Sequence, residues 1–231
     1  MSFSKESQKL MSYFLNDFDK YSYQKIKQKK TDTIYKKIFN ELIIAHKIYK
    51  LTYKKYVKRE VKEIKNEKDI MDCGNLLYSD YVVPEIKDYI ITKSKGLLIV
   101  KNTIQGVDIT IYFLLFENLN NLERYNSYID DIFIYLKFLF QFMKGKKIKS
   151  LTYCLYLTDF KKKTPNNFKH ILGSGNCNTG VTNGCAINGE ILIFRKEEWF
   201  KVLIHETFHS LCLDFNSMYL GNFNSKIKEM V

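Results

Sequence analysis

The stretch VLIHETFHSL, residues 202–211, holds two of the chain's four histidines, set four positions apart with a glutamate beside the first. On an α-helix each residue turns about 100° and rises about 1.5 Å, so His205 and His209 fall roughly 40° apart on one face and about 6 Å along it. Two imidazoles placed in this way can reach one cation at about 2.0–2.1 Å, the length of a zinc to ring-nitrogen bond. Glu206 is turned away from that chelate but stays beside it. A carboxylate there can accept a proton from water activated by the metal and pass it to a leaving amine. The residue types therefore point to zinc and hydrolysis, with His205 and His209 as ligands and Glu206 as general base. Trp199, Phe200, Leu203, Ile204, Phe208, Leu211 and Phe215 surround the trio, which predicts a buried helix whose polar residues face a cleft. The rival reading of the same residues is a buried helix whose histidines and glutamate only hydrogen-bond.

The elements that must position this helix follow from periodicity. Residues 5–68 are Lys-rich, almost free of Gly and Pro, and apolar at helical spacing, which predicts long amphipathic helices, with His46 as a packed or surface residue. GLLIVKNTIQGVDITIYFLLFE is two β-branched and aromatic runs joined at Gln105 and Gly106, a hairpin. Residues 122–143 return to helical period, and KIKSLTYCLYLTDF reads as a strand. Residues 161–184 are polar and Gly-rich, predicting a long loop that walls a cleft. GSGNCNTGVTNG within it lacks the GK[ST] ending of a phosphate loop. Asn188 and Gly189 give a turn signal, Glu190–Phe194 a strand, and RKEEW the start of the motif helix, with Arg195 and Lys196 expected in solvent. The order predicts an α+β fold with a small, mainly antiparallel or mixed sheet, residues 1–95 forming a helical segment ahead of a catalytic domain over 96–231.

Residues 202–211 resemble the extended signature of the zincin metallopeptidases. Val202 stands three residues before the first histidine, uncharged residues lie between the histidines and after the second, and Leu211 closes the motif. The resemblance covers residues 184–215. It implies a zincin-like domain, zinc as cofactor, a peptide or protein substrate, and an edge strand lining the cleft. EILIF, just ahead of the motif helix, is similar to that strand, so Glu190, Ile191, Leu192, Ile193 and Phe194 become the expected peptide-pairing residues.

A catalytic zinc usually takes three protein ligands and leaves a position for water. The metzincin continuation fails, because Cys212 stands where its glycine would be and Phe215 where its histidine would be. Glu229, twenty residues after His209, has a spacing similar to that of the thermolysin-like gluzincins. Asp214 is an alternative ligand, or a carboxylate that orients a histidine. Cys185 loosely resembles the cysteine of the peptide deformylases, and His170 lies in the long loop. The ending NSKIKEMV reads as the start of a helix, which leaves a fragment of a longer protein as one reading.

Composition bounds the partners. With 37 Lys and Arg against 25 Asp and Glu, the chain carries a formal net charge of +12, a field that suits nucleic acid or acidic partners. A basic binding protein with a vestigial motif is thus the rival function, and a metal-dependent hydrolase of non-peptide substrates a third. The greasiest run, residues 132–143, is too short to span a bilayer. Five cysteines without a CxxC pair argue against a disulfide framework, and the N-terminus has no signal-peptide pattern, so an intracellular, reducing location is expected.

Overall fold

Gln105 and Gly106 both take positive φ, 52° and 81°, the backbone of a tight hairpin turn whose twist matches that of its flanking strands. In the computed structural model, which describes residues 26–117, 122–143, 148–163 and 173–214, this hairpin supplies the second and third strands of a six-stranded mixed sheet. The strands are β1 (Lys58–Glu63), β2 (Gly96–Ile104), β3 (Val107–Leu115), β4 (Ser150–Thr158), β5 (Gly180–Thr182) and β6 (Asn188–Arg195), in the spatial order β1-β2-β3-β4-β6-β5. β1, β2 and β3 run antiparallel, β3, β4 and β6 parallel, and β5 antiparallel to β6. Among the described residues the α-helices are α1 (Ile26–Ile48), α2 (Glu67–Met71), α3 (Pro84–Lys93), α4 (Asn126–Leu139), α5 (Ser174–Cys177) and α6 (Trp199–Ser210). The fold class is α+β.

Strand alternation divides the core between the two faces of the sheet. Val107, Ile109, Ile111 and Phe113 of β3 join Leu151, Tyr153, Ile191 and Ile193 under α4 and α6. Leu97, Leu114, Cys154, Tyr156, Leu192 and Phe194 face the other way, under Ile70, Leu77, Ile86 and Ile90. Both surfaces of the central strands are thus covered, which is why β3, β4 and β6 are nearly continuous apolar runs.

The expected helical segment over residues 1–95 needs correction where it is described. α1 is there, its end docked on α4 by the Tyr49–Phe133 ring pair and by the Tyr49 hydroxyl donating to Asp130 at 2.8 Å. KREVKE, however, is the edge strand β1 and is exposed along its length. Its lysines fit the polar side of a helix, but charges of both signs also suit an open sheet edge, where they discourage pairing with another chain. The segment that follows, through α2 and α3, closes one face of the sheet. Asn188 and Gly189 also depart from expectation, because they begin β6 and make no turn. A Cβ on Gly189 would collide with Ser210 Oγ and reach Leu151 Cδ1 at 2.7 Å, so glycine serves close packing there. Among the described residues no helix is long and apolar enough to cross a membrane.

Candidate functional site

The motif helix α6 is seated on the sheet by its buried residues Leu203, Thr207 and Ser210. Tyr153, buried in β4, holds it in register: its hydroxyl meets Thr207 Oγ1 at 2.9 Å, between the motif's glutamate and second histidine. Tyr135 of α4 donates to the carbonyl of Ile204 at 3.4 Å. The opposite face is more open than the apolar sequence suggested, with His205 and Phe208 exposed and Glu206 and His209 half-buried. α6 therefore rests on the sheet on one side and presents the trio on the other.

His205 Nε2 and His209 Nε2 converge to 3.0 Å, with the rings nearly perpendicular at 89°. Two ligands each about 2.05 Å from a tetrahedral ion would stand roughly 3.3 Å apart, so the observed separation is within a few tenths of an ångström of a chelating pair. Two nitrogens that close also need something between them, a shared proton or a cation, because two lone pairs repel.

The end of α6 supplies the next part. Leu213 N–H donates to the Phe208 carbonyl at 2.9 Å and Cys212 N–H to the His209 carbonyl at 3.1 Å, the paired bonds of a Schellman cap. Cys212 occupies the left-handed position at φ 53°, where glycine is usual. The reversal returns Asp214 to the helix, and its Oδ2 bonds His209 Nδ1. A carboxylate on Nδ1 keeps the proton on that nitrogen and leaves Nε2 bare for a cation. The sequence marked Cys212 only as a misfit to the metzincin glycine, yet the chain turns at that residue.

Cys212 is disulfide-bonded to Cys185, with Cα atoms 5.1 Å apart. Where the sequence argues against a disulfide framework, one bond is present, and it occupies the sulfur of Cys185, a candidate ligand. Residues distant in sequence gave no spacing signal for the pair, which meets only because β5 and β6 fold back beside the end of α6. Cys73, Cys154 and Cys177 are free.

Burial lifts the Glu206 carboxyl above the usual carboxylate range, while His205 and His209 pull it partly back. Its neighbour is Gly180 of β5. A Cβ there would lie 2.8 Å from Val202 Cγ1, 2.9 Å from the Leu192 carbonyl and 3.4 Å from Glu206 Cγ, so only glycine lets the strand pass this close to the base.

β5 also overturns the expected role of Glu190–Phe194. β6 lies inside the sheet, paired to β4 on one side and to Gly180, Val181 and Thr182 on the other, and has no free edge for a peptide. Ile191, Leu192, Ile193 and Phe194 are core residues. Glu190 points to the far face and accepts the Leu76 N–H at 3.1 Å, fastening the segment between α2 and α3. The apolar continuity of EILIF marks a strand covered on both faces and not an edge strand. Arg195 is likewise no solvated cation: it is 2% exposed and donates to the carbonyls of Asn178, Phe160 and Gly175 at 2.9, 3.3 and 3.2 Å. It thereby ties α5 and the chain leading into β5 to the end of β6. The loop predicted as a cleft wall contains α5 and β5, and β5 is the sheet's edge on this side among the described residues.

Of the proposed third ligands, Asp214 is engaged on His209 and Cys185 in the disulfide. Glu229 and His170 lie outside the described residues. Among the described residues no group of three His, Cys, Asp or Glu side chains is assembled to hold a metal. The chain matches no known protein family, no characterised protein and no solved structure.

Proposed function

We propose that this protein is a zinc-dependent peptidase of zincin-like architecture, with His205 and His209 binding the metal and Glu206 as general base. The observation that carries the reading is the 3.0 Å convergence of the two Nε2 atoms on the open face of α6, with Asp214 behind one ring and Glu206 alongside. Zinc in that place would supply a Lewis acid to water and to the scissile carbonyl. Glu206, partly desolvated and so a stronger base than a free carboxylate, would receive the water's proton and deliver it to the departing amine. Asp214 fixes the tautomer of His209 and its ring plane.

The substrate backbone is assigned to β5 in place of β6. Thr179 accepts from Phe194 N–H at 3.0 Å and Asn183 donates to the Glu190 carbonyl at 3.2 Å, so these alternate residues face β6. The N–H and C=O groups of Gly180 and Thr182 consequently face away from the sheet, beside Glu206, where an extended peptide can add as a strand.

Metal analysis tests the assignment. About one zinc per chain is expected, lost in His205→Ala and in His209→Ala, whereas Glu206→Gln retains the metal and loses peptide hydrolysis. Turnover retained in Glu206→Gln removes that residue from the mechanism. A metal-free chain that retards DNA in a salt-dependent way, unchanged by the histidine substitutions, favours the basic binding protein instead.

A further inference from the structure

A cavity of about 460 Å³ opens at the other end of α6, and the motif does not use it. Because β3, β4 and β6 are parallel, their carboxyl ends come to the same end of the sheet, the customary position of ligand crevices in sheets with parallel strands. Phe116 and Glu117 follow β3, Thr158 and Asp159 close β4, and Lys196 follows β6. The opening lies between α3, which contributes Tyr89, and the start of α4, which contributes Tyr128, with Tyr125 just ahead of it. On α6, Trp199 lies six residues before His205 and ten before His209, about 9 and 15 Å along the axis, and neither histidine lines the cavity, so it is separate from the pair.

Its chemistry is uniform enough to name a ligand class. The walls are aromatic: Tyr89 and Phe116 have centroids 5.3 Å apart on one side, and Tyr125 and Tyr128 are 6.3 Å apart on the other. The rim carries two opposed ion pairs. Arg124 holds Glu117 at 2.8 Å and also donates to the Tyr125 hydroxyl at 3.1 Å, so one N–H on each of its terminal nitrogens is engaged. Lys196 and Asp159 stand 3.9 Å apart, both well exposed, a loose pair that a ligand can open. The lining has equal numbers of positive and negative side chains, which offers a polyanion no surplus attraction but suits a molecule bearing both signs.

We propose that this cavity binds a small zwitterionic aromatic molecule of the class of free aromatic amino acids. The ring lies among Tyr89, Phe116, Tyr125 and Tyr128, the carboxylate meets Lys196, and the ammonium meets Asp159. The site stands on different residues from the peptidase reading, so the failure of either leaves the other intact.

The chain supplies its own reporter, because its single tryptophan, Trp199, packs against Tyr128 with ring centroids 4.6 Å apart. Titration of the full chain with L-phenylalanine should give a saturable change in Trp199 emission and a matching isotherm in calorimetry. N-acetylphenylalanine, which lacks the ammonium, and phenylalanine amide, which lacks the carboxylate, should each bind about tenfold more weakly. Lys196→Ala, at an exposed position that does not threaten folding, should weaken phenylalanine about tenfold and leave the amide unchanged, the signature of a lost carboxylate contact. Absence of a saturable signal in both measurements overturns the site. Benzyl alcohol binding as well as phenylalanine, adenosine monophosphate binding better, or Lys196→Ala weakening acid and amide equally overturns the ligand class.

Discussion

Breaking the Cys185–Cys212 bond perturbs the end of the motif helix without touching His205, Glu206 or His209. The bond spans 27 residues of sequence. Cross-linking a loop of that length removes about 12 cal/mol/K from the unfolded chain, or about 3.5 kcal/mol at 25 °C. Cys185→Ser should therefore lower the free energy of urea unfolding by up to about 3.5 kcal/mol under oxidising conditions and by much less in reductant. Cys212 separates two contributions. Its φ of 53° is a conformation glycine adopts freely, so in reductant Cys212→Gly should be more stable than Cys212→Ser by about 1 kcal/mol. Thiol counting checks the covalent premise: three of the five cysteines, Cys73, Cys154 and Cys177, should react in the denatured, unreduced protein, and all five after reduction. Five reactive thiols before reduction, or a Cys185→Ser curve that overlays the wild type in oxidant, would refute the reasoning.

Other consequences follow from the same geometry. Asp214→Asn removes the anion from His209 Nδ1 and should weaken zinc binding about 10- to 100-fold in a competitive chelator titration, with the far-ultraviolet spectrum unchanged. Gly180→Ala places a methyl 2.8 Å from Val202 Cγ1 and 2.9 Å from the Leu192 carbonyl. It should cost about 1–3 kcal/mol in chemical unfolding and displace β5 from Glu206, and a stability equal to wild type would contradict the packing. Asp69 is pulled down to about 2 by Lys62, then by the N–H groups of Lys65 and Asn66. A depressed carboxyl contributes stability above its unfolded value near 3.8, and that contribution disappears as the pH falls through about 2. The stability gap between wild type and Asp69→Asn should accordingly close between pH 4 and pH 2, and a gap constant over that window would exclude the linkage.

What the sequence determined by itself is local. The hairpin turn at Gln105 and Gly106, the strands around residues 150–158 and 190–194, the helix after residue 125 and the motif helix follow from periodicity and turn chemistry, which act over a few residues. The i, i+4 spacing of His205 and His209 fixed that both rings share a face. Tertiary structure alone decided the neighbours. Asp214 reaches His209 because the chain reverses at Cys212, and Gly180 passes Glu206 because β5, hidden in a polar glycine-rich stretch, is the strand that closes the sheet. Tyr153 belongs to α6 through one buried hydroxyl contact with a residue 54 positions away, and the two cysteines meet across 27. The apolar run Ile191–Phe194 has the same composition whether a strand lies at an edge or between two others. Strand order depends on which long-range pairings bury the most surface together, and no window of sequence contains that sum.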